Sequence, residues 1–119
     1  MTPPPFDLAI ISGLFLYLND EDCLQVIEGL LKLLKTDAQI YIREPIATQA
    51  RLTLKDFPSI ELKSQYNAIY RTKEEYIDFI FSPLKREGFN MIYNGDLFED
   101  ELNNRKETKQ NFFIFSRTL

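Results

Sequence analysis

The sequence predicts an α/β protein in which helices pack against a partial sheet. Three observations carry this. Leu8-Ala9-Ile10-Ile11-Ser12 is an apolar run of strand length, the pattern of a strand covered on both faces. Apolar residues then recur at 23, 24, 27, 30, 31 and 34, one stripe of a helix, with Gln25, Glu28, Lys32 and Lys35 on the wetter side. Ala38-Gln39-Ile40-Tyr41-Ile42-Arg43-Glu44 follows as a second strand. A strand-helix-strand unit of this length is parallel with a right-handed crossover.

The opening strand, Phe6 to Ser12, has the character of a central strand, yet only Met1-Thr2-Pro3-Pro4-Pro5 stands before it. A central strand needs neighbours on both edges. The chain therefore reads as one domain over 1–119 that is the second half of a larger sheet.

The remaining elements follow in order. Gly13 ends the first strand, and Asn19-Asp20-Glu21-Asp22 supplies a cap and acidic residues for the helix N-terminus. Thr36-Asp37 reads as the turn out of that helix, and Pro45, lacking an amide, is expected to close the second strand. Residues 45–71 form too long a connection to be structureless, so a lid is expected. Within it 51–55 and 60–63 alternate as a small hairpin around the turn Asp56-Phe57-Pro58-Ser59. Thr72-Lys73-Glu74-Glu75 matches a capping box and starts a helix over 72–87, which Pro83 kinks or restarts with Ser82 as a cap and Gly88 stops. Phe89 to Tyr93 and Asn111 to Ser116 are strands, and the charged stretch 96–110 between them leaves no room for a helix. The last two strands should pair as an antiparallel hairpin.

Composition excludes several functions. With no histidine and a single cysteine, Cys23, the chain cannot by itself form a histidine-based catalytic site, a disulfide or a cysteine metal cluster. A net charge of −4 with scattered Lys and Arg argues against a broad nucleic-acid face. The apolar run Leu8–Leu18 is shorter than the ~20 residues that span a bilayer. No signal peptide is evident, and a cytoplasmic setting is the expectation. Glu99, Asp100 and Glu101 read as part of a solvated loop with Arg105, Lys106 and Lys109, and no metal site is expected.

Specific residues now attach to the order strand, helix, strand, lid, helix, strand, strand. Phe-Asp-Leu-Ala-Ile-Ile-Ser-Gly-Leu-Phe-Leu-Tyr-Leu-Asn-Asp, then Leu-Leu-Lys-Leu-Leu-Lys-Thr-Asp-Ala, then Tyr-Ile-Arg-Glu closely resembles the C-terminal half of class I S-adenosylmethionine-dependent methyltransferases. In that family these are the fourth strand, its helix and the fifth strand of a Rossmann-like sheet. Lys35-Thr36-Asp37-Ala38 departs from the family's Leu-Lys-Pro-Gly-Gly-like turn. The later helix and two strands resemble the family's last helix and terminal hairpin. Tyr66 to Thr72 resembles the substrate-side segment of its small-molecule members.

The resemblance implies S-adenosyl-L-methionine as the cofactor of the parent fold, and it also shows what this sequence lacks. The four glycines, Gly13, Gly29, Gly88 and Gly95, form no Gly-x-Gly cluster, so the N-terminal cofactor half is missing by comparison. Binding of the cofactor by this chain alone should be weak or absent. By the same resemblance Ser12, Gly13 and Leu14 line the cofactor side, with Phe15 following. Tyr17, Arg43, Glu44, Tyr66, Asn67, Tyr70 and Arg71 are substrate-binding candidates. Arg71 is suited to a carboxylate or phosphate by its planar fork. No residue is assigned a catalytic role. Each candidate has a plainer reading: Tyr17 packed on the sheet, Arg43 and Glu44 a solvated pair, the lid residues surface packing. Cys23 reads as buried packing.

With strand order 4-5-7-6, the 8–12 strand becomes an apolar edge that must be covered. A homodimer, or the missing N-terminal half, is the expected cover. Besides a methyltransferase of small molecules, inactive alone, the sequence allows a non-catalytic remnant serving dimerisation or partner binding.

Overall fold

A computed structural model describes residues 4–59, 64–96 and 108–117; from 54 to 67 the description is of backbone only. Strand β1 is Phe6–Ser12, helix α1 Asp20–Leu31, and β2 Leu34–Ala47. The lid is a hairpin of β3 (Leu52–Ser59) and β4 (Ser64–Tyr70). A helical segment follows as α2 (Lys73–Glu75), a π-helical turn (Tyr76–Ile80) and α3 (Ser82–Arg86). It leads to β5 (Asn90–Asp96) and β6 (Thr108–Ser116). The main sheet has the order β1-β2-β6-β5, with β1 parallel to β2 and the β2–β6 and β6–β5 pairs antiparallel. The strand order and the antiparallel pairing of the last two strands are as the sequence suggested.

Helices cover one face. Ala9, Ile11, Ile40, Ile42, Phe113 and Phe115 point into the core, where they meet Cys23 and Ile27 of α1 and Ile80, Phe81 and Leu84 of the later segment. Each fully buried aliphatic side chain contributes about 1.5–3 kcal/mol, so this layer holds the fold. The opposite face is bare: Leu8 is 48% exposed, Ile10 69% and Tyr41 41%. The expectation that β1 is covered on both faces is therefore corrected.

Several boundaries moved for identifiable reasons. Asn19 caps α1 as expected, its side chain accepting from the Asp22 amide at 2.8 Å. Leu34, on the helical stripe, is buried as that stripe demands, but from the start of β2, with the Phe6 amide donating to the Leu33 carbonyl at 3.1 Å. Pro45 does not close β2. The Arg43 carbonyl and the Ala47 amide bond on the β1 side, to Gly13 and Arg71, so alternation puts the Pro45 nitrogen on that side as well. β1 has ended by then, its last partner being Arg43, and no ladder bond is lost. The lid is a hairpin, but Asp56 to Ser59 belong to β3 rather than to a turn. The expected strand 60–63 lies outside the described residues, as does most of the 96–110 loop. The capping box of Thr72 and Glu75 is present. Ser82 is not a cap: its hydroxyl donates to the Phe79 carbonyl at 2.7 Å, while Pro83 occupies the first turn, where its missing amide is harmless. Gly88, at φ 86, stops the segment.

Candidate functional site

The site sits where β1 ends beside Arg43 of the longer β2, at the carboxyl edge of the parallel pair, where open α/β sheets bind ligands. Gly13, at φ 64, turns the chain away from the sheet, its amide still donating to the Arg43 carbonyl at 2.9 Å. Phe15–Tyr17 then form a single 3-10 turn leading into α1.

Two buried charges hold this turn. Glu44 is fully buried, and its carboxylate accepts from the amides of Leu14 at 2.8 Å, Phe15 at 3.1 Å and Leu16 at 3.3 Å. Arg71, equally buried, donates to the carbonyls of Phe15 and Leu18 at 2.8 and 2.7 Å, and to Asp20 at 2.8 Å. The turn's amides meet an anion and its carbonyls a cation, so its buried backbone is satisfied without sheet pairing. Arg71 is placed by the lid, because its carbonyl accepts from the Ala47 amide at 2.8 Å and so anchors the end of β4 to β2.

Burial pushes the Glu44 carboxyl above its ordinary value, with the three amides pulling the other way. Burial also opposes the charged form of Asp20, but hydrogen bonds from Arg71 and Arg51 prevail and hold it below the usual carboxylate range. For Arg71 the burial penalty is outweighed by Asp20, and the guanidinium stays charged. Arg51 bridges Asp20 at 3.2 Å and Glu75 at 3.1 Å, tying β3's approach to both helices. Tyr76 is wholly buried under Arg71, whose guanidinium carbon lies 5.8 Å from the ring centre. Its hydroxyl has no hydrogen-bond partner among the described residues. Cys23 is buried beside the same turn, its thiol 3.6 Å from the Phe15 carbonyl, and burial pushes it up to about 11.

The sequence candidates separate into groups. Ser12, Gly13 and Arg43 meet at one rim, with the Arg43 Nε donating to the Ser12 hydroxyl at 2.7 Å and its Nη1 to the Gln110 side-chain oxygen at 2.7 Å. Leu14 and Tyr17 are exposed in the adjoining turn, at 40% and 57%. Glu44 and Arg71 lie beneath that turn rather than on a surface. Tyr70 is half-buried at the end of β4. Tyr66 pairs with Phe57 in the lid hairpin and Asn67 follows it in β4 at the irregularity of the register; the side chains of both lie outside the described residues. Sequence reasoning missed Asp20, Arg51, Tyr76 and Gln110. Asp20 carried only a helix-start signal, and its link to Arg71 spans 51 residues of chain.

The polar groups of this rim are engaged within the chain. The amides of Leu14, Phe15 and Leu16 are engaged by Glu44, and the Ser12 hydroxyl by Arg43. A cleft of about 220 Å³ among the described residues is lined by Asp20, Arg71, Glu75, Phe79 and Ile80, and one of about 410 Å³ by residues of α1 and α3; neither includes Ser12, Gly13 or Leu14. No three carboxylates or thiols among the described residues are placed to hold a metal, and no described helix is long and apolar enough to cross a membrane.

No protein-family model and no curated protein matches the sequence. Solved structures do match. A Burkholderia thailandensis 1,6-didemethyltoxoflavin-N1-methyltransferase, with bound 1,6-didemethyltoxoflavin and S-adenosylhomocysteine, superposes at a TM-score of 0.71 with 12% identity, over 100% of this chain and 47% of its own. A Leishmania major SAM-dependent methyltransferase does so at 0.62 and 17%, over 97% and 40%. The [4+2]-cyclase SpnF matches at 0.62 and 12%, over 99% and 52%. The chain thus has the class I methyltransferase fold and spans about half the length of these proteins. The cyclase among them means that the fold does not fix the reaction.

Proposed function

We propose that this chain is the acceptor-side half of an S-adenosyl-L-methionine-dependent methyltransferase of small molecules. The observation that supports it is the superposition of nearly the whole chain on such enzymes, together with the charged rim where β1 ends beside Arg43 of β2. The cofactor would supply an electrophilic methyl group. Methyl transfer then asks little covalent help of the protein, chiefly alignment and exclusion of water, so a chain without histidine is no obstacle.

Ser12, Gly13 and Leu14 form the cofactor-facing rim in this reading. Tyr17, Arg43, Tyr66, Asn67 and Tyr70 face the acceptor. Glu44 and Arg71 act from below as positioning residues, fixing the turn that carries Leu14 to Tyr17. The glycine-rich half is supplied from outside this sequence, and the 119 residues alone bind the cofactor weakly or not at all and transfer no methyl group. The setting is cytoplasmic.

The bare edge supports a second reading, a non-catalytic dimerisation or partner-binding module. β1 offers an unpaired backbone edge with Phe6 52% exposed beside Leu8 and Ile10. In the absence of the other half, a second copy pairs antiparallel along β1 across a two-fold axis.

The DNA immediately upstream of Met1 decides between the two. An in-frame strand-turn-helix with a Gly-x-Gly cluster supports the enzyme half. An in-frame stop codon there, with no glycine-rich partner chain that restores methyl transfer, favours the module.

A further inference from the structure

Two arginines lie near the rim, and their surroundings differ. All the charge of Arg71 is directed inward, to Asp20 and two carbonyls. Arg43 is only half-buried and has no carboxylate partner among the described residues; it is held by two neutral groups, the Ser12 hydroxyl and the Gln110 amide oxygen, both at 2.7 Å. These contacts fix the guanidinium without neutralising it. A guanidinium has five N–H donors. One on Nε and one on Nη1 are engaged in these two bonds, and the Nη2 hydrogens and the second hydrogen of Nη1 are not used by them, donors of the kind a carboxylate accepts.

Gly13 leaves room beside Nη2. A Cβ added there would lie 3.5 Å from that nitrogen, in van der Waals contact with it. Exposed Leu14, next in the chain, offers apolar contact at the same rim. A rigid cation that feels the buried Glu44 carboxylate but pairs directly with no carboxylate among the described residues, under a glycine and beside an exposed leucine, is complementary to an anion with an apolar body.

We propose that Arg43 anchors the carboxylate of a small organic acid, which makes the acceptor of this site an anionic molecule. The part concerning the acceptor rests on the methyltransferase reading; the anion site itself is a property of this chain.

The test is a titration of the isotopically labelled full chain with sodium benzoate, followed by nuclear magnetic resonance. Benzamide, the neutral counterpart, and inorganic phosphate are titrated in parallel. Benzoate is expected to shift the Arg43 Nε–H and the Ser12, Gly13 and Leu14 amides with millimolar saturation, and benzamide to leave them in place. Arg43→Gln should weaken benzoate at least tenfold. Gln110→Glu, which gives Arg43 an internal counter-charge while leaving its side chain in place, should do the same even if Arg43→Gln unfolds. Unmoved rim signals, equal shifts with benzamide, or full binding by Gln110→Glu would overturn the anion site. Phosphate shifting the rim more strongly than benzoate would overturn the carboxylate assignment. None of these outcomes touches the methyltransferase reading, which fails separately if the complemented chain transfers no methyl group.

Discussion

Glu44 and Arg71 grip one turn from opposite sides: the carboxylate takes the amides of residues 14, 15 and 16, and the guanidinium takes the carbonyls of 15 and 18. Both meet at Phe15, whose amide and carbonyl are held by opposite charges. The turn that follows β1 is thus fixed by side chains from β2 and from the end of the lid.

Removing either charge should be severe. Glu44→Ala leaves buried amides without acceptors, and each costs about 1–3 kcal/mol, so a loss of about 3 kcal/mol is expected in urea unfolding. Arg71→Met should lose about 3 kcal/mol for the same kind of reason. Because both hold one turn, the double variant should cost less than the sum by roughly 0.5–3 kcal/mol. Strict additivity would mean that the two act on separate structures.

Asp20 gives a pH dependence of defined sign. Its carboxyl is held low in the fold by Arg71 and Arg51, so it stabilises above its ordinary value of 3.8 and that stabilisation fades as pH falls through the lower folded value. Glu44 works the other way, since its raised carboxyl stabilises at acid pH and loses that effect as pH rises. Comparing wild type with Asp20→Asn cancels Glu44. The stability difference should be constant at neutral pH and shrink on acidification; a difference that widened in acid would remove the ion pair from the account.

Cys23 should be inert while the protein is folded. With the thiol at about 11, roughly one molecule in a thousand is thiolate at pH 8, and the sulfur is fully buried besides. Iodoacetamide labelling followed by mass spectrometry should proceed only on unfolding in urea. Rapid alkylation of the native chain would contradict this burial.

The exposed face of β1 predicts association. Ile10 projects into solvent, so Ile10→Lys should change stability by no more than about 0.5 kcal/mol. It should nevertheless convert a dimer to a monomer in light scattering at micromolar concentration, because charge on an edge strand opposes pairing. A wild-type chain already monomeric there would remove self-association from the proposal.

Local patterns in the sequence carried the order of elements, the capping box at Thr72 and the antiparallel end of the sheet. What they could not carry was anything set by distant neighbours. Pro45 looked like a stop because a missing amide is usually a missing ladder bond, but here β1 ends before the proline needs it. Leu34 satisfied a helical stripe and is buried from a strand. Glu44 was legible as a charge ending an apolar strand and Arg71 as a planar fork in the lid, yet no spacing rule links them to carbonyls and amides 28 to 56 residues away. Arg43 was a candidate on position alone, and its neutral partners Ser12 and Gln110 are visible only in three dimensions.

The central proposal is that these residues form one wall of a methyltransferase pocket and bind the cofactor weakly or not at all by themselves. Titration of the chain with S-adenosyl-L-methionine by calorimetry, with amide shifts recorded alongside, tests it most directly. The account expects no saturation below millimolar concentration and any shifts confined to Ser12, Gly13 and Leu14. Micromolar saturable binding by the 119 residues alone would contradict it.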